Sequence, residues 1–162
     1  MRIFNSKPAI KLTQEQVIQK LEIFCAYRER CASEIHQKLI ALHVNKDEID
    51  FYLDYLKENN FYNETRFVNA FVRGKSAIKK WGKHKIVQQL HTKNIPIEVI
   101  QKSLHQIDEE AYNNRLHDII LKKNKLLNEE NDFKRRQKLV IFAQQKGYET
   151  QLILNAIHHL NL

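Results

Sequence analysis

Glycine and proline are scarce in this chain, with three glycines and two prolines among 162 residues. These residues mark the turns on which all-β folds depend, so their scarcity argues against such a fold. Lysine, leucine, isoleucine, glutamate and glutamine favour helices instead. Hydrophobic residues at 43% and charged residues at 28% are typical of a globular protein rather than a disordered one. The composition therefore predicts an all-α fold.

Sequence motifs for catalysis are also missing. The chain has neither of the glycine-rich phosphate-binding patterns, GxxxxGK(S/T) and GxGxxG. His36 and His43 are seven residues apart, and so are His84 and His91, which is not the HExxH spacing of a zinc site. A nucleophile and its base could come together only from residues distant in sequence. We therefore expect no enzymatic activity, no bound metal and no cofactor.

The cysteines and the N-terminal residues bear on where the protein works. Cys25 and Cys31 form no CxxC pair, which is typical of a reduced cytosolic protein. Residues 1–13 lack the continuous apolar core of a signal peptide, and no apolar run approaches the ~18 residues of a membrane span. We expect a cytoplasmic protein that does not contact a membrane.

The charge of the chain points to an acidic partner. Lysine and arginine number 27 against 19 aspartates and glutamates, which gives a formal net charge of +8. Such a surplus is typical of proteins that bind nucleic acid, a nucleoprotein or an acidic protein surface. Charge alone does not choose among these three partners.

The chain repeats one apolar pattern three times. Six apolar positions in residues 35–56 coincide with six in residues 86–107 after a shift of 51 residues, and with six in residues 139–160 after a further 53. The alignment needs no gap inside any copy. Within each copy the apolar spacing indicates a helix, a short turn and a second helix.

Another amphipathic helix precedes each of these pairs. The three leading helices are predicted over residues 13–27, 64–79 and 109–127. A lone unit of about 50 residues has a marginal core, so neighbouring units are expected to stack. The sequence thus predicts three tandem three-helix repeats in an elongated, slightly curved helical array. We place an N-terminal extension at 1–12 and the repeats at 13–61, 62–108 and 109–162.

Residues that cap helices agree with this division. Thr13 with Gln16, and Asn45 with Glu48, have the spacing of a capping box at the start of a helix. Ser33 is expected to cap the second helix of the first repeat.

Turn residues separate the helices of the later copies. Pro96 lies where a helix is expected to begin, a position that proline favours. Gly147 and Tyr148 mark the turn of the third copy, and we expect them to form a structural joint.

Basic residues cluster near the passage from the first to the second helix of each predicted repeat. Part of this charge is expected on solvated faces or at helix C-termini, where cations complement the helix dipole. Repetition at one joint would align the rest as a basic ridge, suited to a long polyanionic or filamentous partner. The residues of this basic ridge are Arg28, Arg30, Arg66, Arg73, Lys75, Lys79, Lys80, Lys83, Lys85, Lys134, Arg135, Arg136 and Lys138.

Residues 79–93, KKWGKHKIVQQLHTK, combine the only tryptophan of the chain with five lysines. An aromatic side chain among lysines can stack on nucleic-acid bases, or it can fill a joint between helices. Ile86 and Leu90 fall on the repeated apolar positions. We therefore interpret Trp81 and Gly82 as a structural joint and the lysines as the part that touches a partner.

Sequence-specific reading of DNA by a helix-turn-helix is not expected. The second helix of that motif lies in the major groove, close to phosphates. In the first copy the equivalent helix is net acidic, and in the third copy residues 151–160 contain no lysine or arginine. Repulsion from phosphate makes both poor recognition helices.

Four segments in order resemble motifs of the RecX family of recombinase regulators. Residues 27–30, Tyr-Arg-Glu-Arg, with the following 34–39, are similar to the family's aromatic-Arg-x-Arg and E-L-x-x-K-L. Residues 64–73 look like D-x-R-F-A-x-x-F-V-R, and residues 82–90 like G-P-x-R-I-x-x-E-L. Residues 136–148 are similar to K-x-K-L…F-L-x-x-R-G-F. The resemblance covers about residues 15–160.

The departures from the family pattern are conservative. Lys83 replaces the proline after the joint glycine, Lys85 replaces an arginine, and Gln89 replaces a glutamate. Lysine lacks the bidentate fork of arginine, so an arginine contact is not carried over to position 85.

The resemblance implies a non-enzymatic modulator of the RecA recombinase. Family members are three three-helix repeats that lie in the helical groove of the RecA–DNA filament, where they block filament growth and dampen ATPase activity and strand exchange. For this chain we expect an inhibitor, monomeric, that binds the RecA filament and reaches single-stranded DNA through it. The alternative is a stand-alone, non-sequence-specific DNA-binding helical module.

Overall fold

The computed structural model describes residues 12–162, and within that range the chain forms nine α-helices and no β-strand. In chain order they are α1 (Gln14–Tyr27), α2 (Ala32–Ala41), α3 (Ile49–Glu58), α4 (Glu64–Ala77), α5 (Lys83–His91), α6 (Ile97–Leu104), α7 (Glu109–Leu126), α8 (Asp132–Lys146) and α9 (Thr150–His159). A 3-10 turn, Lys46–Glu48, leads into α3. The all-α prediction is confirmed. The predictions for residues 1–11, which make up most of the N-terminal extension, lie outside the described residues.

The chain divides into two compact units, with the boundary between Glu64 and Thr65. Unit 1 contains α1, α2 and α3, and unit 2 contains α4, from Thr65 onward, through α9. The six helices assigned to the second and third predicted repeats therefore fall within one compact unit. The division of that unit at residues 108–109 stays a prediction.

The core of unit 1 consists of apolar side chains from all three helices. Leu21 of α1 is fully buried, as are Ile35 and Leu39 of α2 and Leu56 of α3. Three of these four lie on the repeated apolar positions of the sequence. Fully burying such side chains stabilises the fold by roughly 1.5–3 kcal/mol each, before the entropy of ordering them is counted.

Two of the predicted caps in unit 1 are present. Thr13 and Gln16 form a capping box at the start of α1, with the Gln16 N–H donating to the Thr13 hydroxyl at 3.3 Å and the Thr13 N–H donating to the Gln16 amide oxygen at 3.0 Å. Asn45 and Glu48 form a second capping box, and the Asn45 N–H donates to the Glu48 carboxylate at 3.3 Å. This box precedes the 3-10 turn rather than α3 itself.

The prediction that Ser33 caps α2 is wrong. The helix begins at Ala32, and Cys31 occupies the capping position without a side-chain hydrogen bond. The Cys31 side chain is completely buried, and its carbonyl accepts the Ile35 N–H at 3.1 Å. Burial of the thiol therefore fixes the start of the helix before Ser33, whose hydroxyl lies 3.1 Å from the Cys31 sulfur.

Each of the two three-helix groups of unit 2 has an apolar interior. In α4, α5 and α6 the buried side chains include Phe67, Ile86 and Ile100. In α7, α8 and α9 the fully buried side chains include Leu139 and Ile153. The helices bury the stripes that the apolar period of the sequence predicts.

The end of α8 has the backbone geometry that glycine favours. Gly147 follows the helix in the left-handed conformation with φ of 91°, and its N–H donates to the Gln144 carbonyl at 2.8 Å. Residues with a Cβ rarely adopt this conformation, whereas glycine does so without steric cost. Tyr148, the next residue, is buried against Tyr112, with ring centroids 5.0 Å apart.

Burial of Cys25 makes the stability of unit 1 sensitive to alkaline pH. Its removal from water raises the pKa of the thiol from 9.0 to about 11, against the smaller opposing effect of Arg30. Because the folded state favours the neutral thiol, this stabilisation is complete below pH 9 and is lost as pH rises toward 11.

We expect the free energy of unfolding to fall by up to about 2 kcal/mol from this group between those pH values. Urea unfolding at pH 8, 9, 10 and 11 measures it. The Cys25→Ala variant, whatever its stability at pH 8, should lose less on going to pH 11 than the parent. Equal losses in both proteins would contradict the assignment to Cys25.

Candidate functional site

Two backbone segments of unit 2 touch at Gly82, just before α5, and Gly147, just after α8. The Gly82 N–H donates to the Lys146 carbonyl at 2.8 Å, and the His84 N–H donates to the Gly147 carbonyl at 3.0 Å. A Cβ on Gly82 would lie 2.2 Å from the carbonyl carbon and oxygen of Gly147. The start of α5 thus accommodates the end of α8 with no room for a side chain. Carbonyls at the C-terminal end of α8 thus accept hydrogen bonds from N–H groups at the N-terminal end of α5, which have no partner inside their own helix.

Tyr112 of α7 joins the same contact through its hydroxyl group. The oxygen accepts the Lys83 N–H at 2.8 Å, and the hydroxyl donates to the Glu149 carboxylate, also at 2.8 Å. Burial raises the pKa of Tyr112 well above its ordinary value, with Glu149 adding to the effect and the Lys83 N–H opposing it. The hydroxyl therefore stays protonated and links the start of α5 to the start of α9.

Replacing Tyr112 by phenylalanine is expected to destabilise unit 2 by about 1–3 kcal/mol. The substitution keeps the ring but leaves the Lys83 N–H and the Glu149 carboxylate without their shared partner. Thermal and urea unfolding measure the change. The matched control is Tyr55→Phe in unit 1, where the hydroxyl donates to the Glu22 carboxylate at 2.8 Å at a half-buried site that water can reach. Equal small losses in the two variants would contradict the linking role of Tyr112.

Several lysines of the predicted basic ridge make contacts inside unit 2. The Lys83 ammonium pairs with Glu109 and lies 4.9 Å from the Tyr112 ring centroid. Lys80 pairs with Asp118 at 3.5 Å, and Lys85 donates to the Gln145 carbonyl at 3.1 Å. These three contacts tie the second three-helix group to the third, so the lysines have a structural role as well as a charge.

Trp81 is half-buried, and ammonium groups lie over its ring. Lys75 is 4.8 Å and Lys85 5.1 Å from the ring centroid. Lys75 also lies 5.2 Å from the centroid of Phe71. Cation–π attraction holds such pairs with roughly 0.5–1 kcal/mol each at exposed sites. The structure therefore brings two residues of the predicted basic ridge, Lys75 and Lys85, together on the Trp81 ring.

The two arginines of unit 1 differ in their surroundings. Arg28 is half-exposed and pairs with Glu34 at 3.3 Å. Arg30 stacks on Phe24, with its guanidinium carbon 3.7 Å from the ring centroid, and its Nε donates to the Phe24 carbonyl at 3.0 Å. Desolvation lowers the pKa of the Arg30 guanidinium, and the positive charge of Arg28 adds to the effect.

The basic residues at the start of α8 lie mostly at the surface. Lys134 and Arg136 are exposed, and so is Lys138, which pairs with Glu129 at 2.7 Å. Arg135 is half-buried and donates to the Glu129 carbonyl at 2.8 Å. The hydrogen bond from Lys138 lowers the pKa of the Glu129 carboxyl, so this carboxylate offsets part of the positive charge.

The remaining predicted ridge residues belong to α4 and its end. Arg73 and Lys79 are exposed, and Arg66 is half-buried. Arg73 lines a cavity of about 240 Å³ together with Arg115 of α7, which donates to the buried Ser76 hydroxyl at 3.1 Å. Sequence reasoning missed Arg115. It lies outside every basic cluster of the sequence, and its partner is 39 residues away.

Neither a metal centre nor a membrane span is found in the part of the chain that the structure describes. No three histidine, cysteine, aspartate or glutamate side chains among residues 12–162 are grouped so that they could hold a metal ion. None of the helices in the same range combines the length and apolarity that crossing a membrane requires.

Two family models match the chain. Residues 63–104 match the second three-helix domain of RecX, and residues 110–157 match its third three-helix domain. Together the matches span more than half of the chain. They cover all of α4, α5 and α6 and most of α7–α9, so they confirm repeated three-helix domains in unit 2.

Similar proteins and structures carry the same name. The chain is 29% identical to the regulatory protein RecX of Clostridium botulinum (strain Eklund 17B / Type B), over 97% of this chain and 72% of that protein. It is 31% identical to the regulatory protein RecX of Clostridium beijerinckii, over 76% and 58%. The crystal structure of RecX from Lactobacillus salivarius has the same fold, with a TM-score of 0.81 at 17% identity, over 91% and 96%.

The resemblance in four short segments is thus supported by the domain models, by the related proteins and by the fold. The chain belongs to the RecX family of regulatory proteins.

Proposed function

We propose that this chain binds the RecA recombinase–DNA filament and mainly inhibits its recombinase and ATPase activities in DNA repair and recombination. Membership of the RecX family is the observation that carries the proposal. The chain acts by binding and catalyses no reaction. It works as a cytoplasmic monomer that contacts RecA and, through the filament, single-stranded DNA.

The charge distribution supports a polyanionic filament as the partner. The chain carries a formal net charge of +8, and Arg73, Lys79, Lys134 and Arg136 are exposed. Exposed cations attract phosphates over about a Debye length, roughly 8–10 Å at physiological salt. The lysines at the joint are less suited to this role, since Lys80, Lys83 and Lys85 already hold the two halves of unit 2 together.

A three-way binding titration tests the proposal. Fluorescence anisotropy or surface plasmon resonance would compare RecA alone, single-stranded DNA alone and the RecA–DNA filament as ligands of the full chain. We expect the filament to bind more tightly than either component. Tight binding to DNA alone, with the same affinity and salt dependence as the filament, would instead favour the stand-alone DNA-binding module.

A further inference from the structure

A groove on unit 1 lies between α1 and α2. Its volume is about 440 Å³, and its surface is almost entirely apolar. Ile23, Phe24 and Tyr27 of α1 form one side, and Leu42 at the end of α2 contributes to the other. Ile23 is 64% and Tyr27 84% exposed, although they lie one helical turn apart on the same face. Contiguous exposed apolar side chains of this kind mark interaction surfaces.

The remaining side chains that line the groove are cationic. They are Lys20, Arg30 and Lys38, and no carboxylate is among the lining residues, all of which belong to the described chain. Arg30 is held in place by its stacking on Phe24 and by the bond from its Nε to the Phe24 carbonyl. A guanidinium fixed in this way loses little entropy when it binds a carboxylate through its terminal nitrogens.

We infer that this groove binds a segment of a partner protein in which apolar side chains alternate with carboxylates. The apolar side chains bury Ile23, Tyr27 and Phe24, and the carboxylates pair with Arg30 and Lys38. Acidic peptide segments supply both groups, whereas a phosphate backbone supplies only the charge. The groove would bind such a segment whether or not the chain acts on RecA, so the two proposals can fail separately.

Two occupants of the groove could come from the chain itself, a second copy or residues 1–11, and the positive charge of both opposes their binding. A second copy carries the same net charge of +8, and residues 1–11 of the sequence contain one arginine, two lysines and no aspartate or glutamate. The net positive charge of each opposes its approach to Lys20, Arg30 and Lys38, the cationic side chains that line the groove. An acidic partner segment is the occupant that these cationic side chains attract.

Three labelled peptides test the inference by fluorescence anisotropy with the full chain. The first alternates leucine and glutamate, the second replaces leucine by serine, and the third replaces glutamate by glutamine. Only the first peptide offers both apolar side chains for the groove and carboxylates for Arg30 and Lys38. We expect it to bind at least about tenfold more tightly than the other two. No binding of the first peptide, or equal binding of the first and second, would overturn the inference.

Substitutions in the groove then locate the binding. Tyr27→Ser and Ile23→Ser each remove an exposed apolar side chain, and we expect each to weaken binding of the first peptide about tenfold. Ile78→Ser in unit 2, at 77% exposure, is the matched control and should leave affinity within about twofold. Unchanged affinity in both groove variants would overturn the inference. So would a dimer of the free chain that Ile23→Ser abolishes, or competition by single-stranded DNA for the groove.

Discussion

Replacing Gly82 by alanine is expected to destabilise unit 2 by about 3–5 kcal/mol, enough to unfold a marginally stable protein. The added methyl group would lie 2.2 Å from the Gly147 carbonyl and 2.3 Å from the Tyr148 nitrogen. Both are backbone atoms, which no rotamer change can move aside. Relief requires separating α5 from α8, which breaks the hydrogen bonds from Gly82 to Lys146 and from His84 to Gly147.

Gly74→Ala is the matched control within the same unit. A Cβ at Gly74 has no neighbour within 4 Å, and the residue lies inside α4. Alanine costs less backbone entropy than glycine inside a helix, so this variant should be more stable than the parent by about 0.5–1 kcal/mol. Urea unfolding followed by circular dichroism compares the variants. A Gly82→Ala protein within about 1 kcal/mol of the parent would contradict the close backbone contact.

Reversing the charge of Lys134 and Arg136 together is expected to weaken binding to the RecA–DNA filament about ten- to a hundredfold at low salt. Both side chains are exposed at the start of α8. Their replacement by glutamate disturbs no buried group, so folding should be kept. The effect should shrink as salt is raised, because screening weakens exposed charges. Binding isotherms at several salt concentrations measure both the loss and its salt dependence.

The control for charge alone is Lys57→Glu with Lys102→Glu. These lysines are also exposed, lie on α3 and α6, and fall outside the basic ridge. The double variant changes net charge by the same amount, so we expect it to retain most of the filament affinity. Equal losses in the two double variants would show that net charge, rather than the start of α8, determines binding, and would contradict a role of the basic ridge.

Lys83→Glu and Lys85→Glu are less informative about partner binding. Reversal at position 83 places a second carboxylate beside Glu109, where an ion pair now lies, and reversal at position 85 removes the donor to the Gln145 carbonyl. The first change affects the contact of α5 with α7 and the second its contact with α8, in addition to any surface contact. A loss of filament binding in these variants must therefore be compared with their stability.

Local patterns in the sequence were sufficient to predict the helices. The spacing of Tyr112, Leu116 and Ile120 predicts α7 over residues 109–127, and the helix spans Glu109–Leu126. Apolar periodicity shows which face of a helix is buried, so the helix can be predicted without knowing which helix packs against it. The prediction for Ser33 was wrong because it relied on the preference of hydroxyl groups for the capping position, whereas burial of Cys31 determined the start of α2.

The joint could be recognised only in part. Gly82 and Gly147 each stood out as rare glycines near turns, but nothing in the sequence indicates that they touch across 65 residues. The lysines contact groups on other helices, namely Glu109, Asp118 and the Gln145 carbonyl. These contacts therefore depend on tertiary packing. Charge clusters predict where cations are, and the fold decides which of them remain available to a partner.

The most direct test of the proposed inhibition is the DNA-dependent ATPase activity of RecA, measured on single-stranded DNA while this protein is titrated in. We expect the rate to fall with increasing protein and to reach a low plateau at saturation, and we expect the Lys134→Glu, Arg136→Glu variant to require more protein for the same effect. An ATPase rate that stays unchanged at saturating protein would contradict inhibition of RecA by this chain.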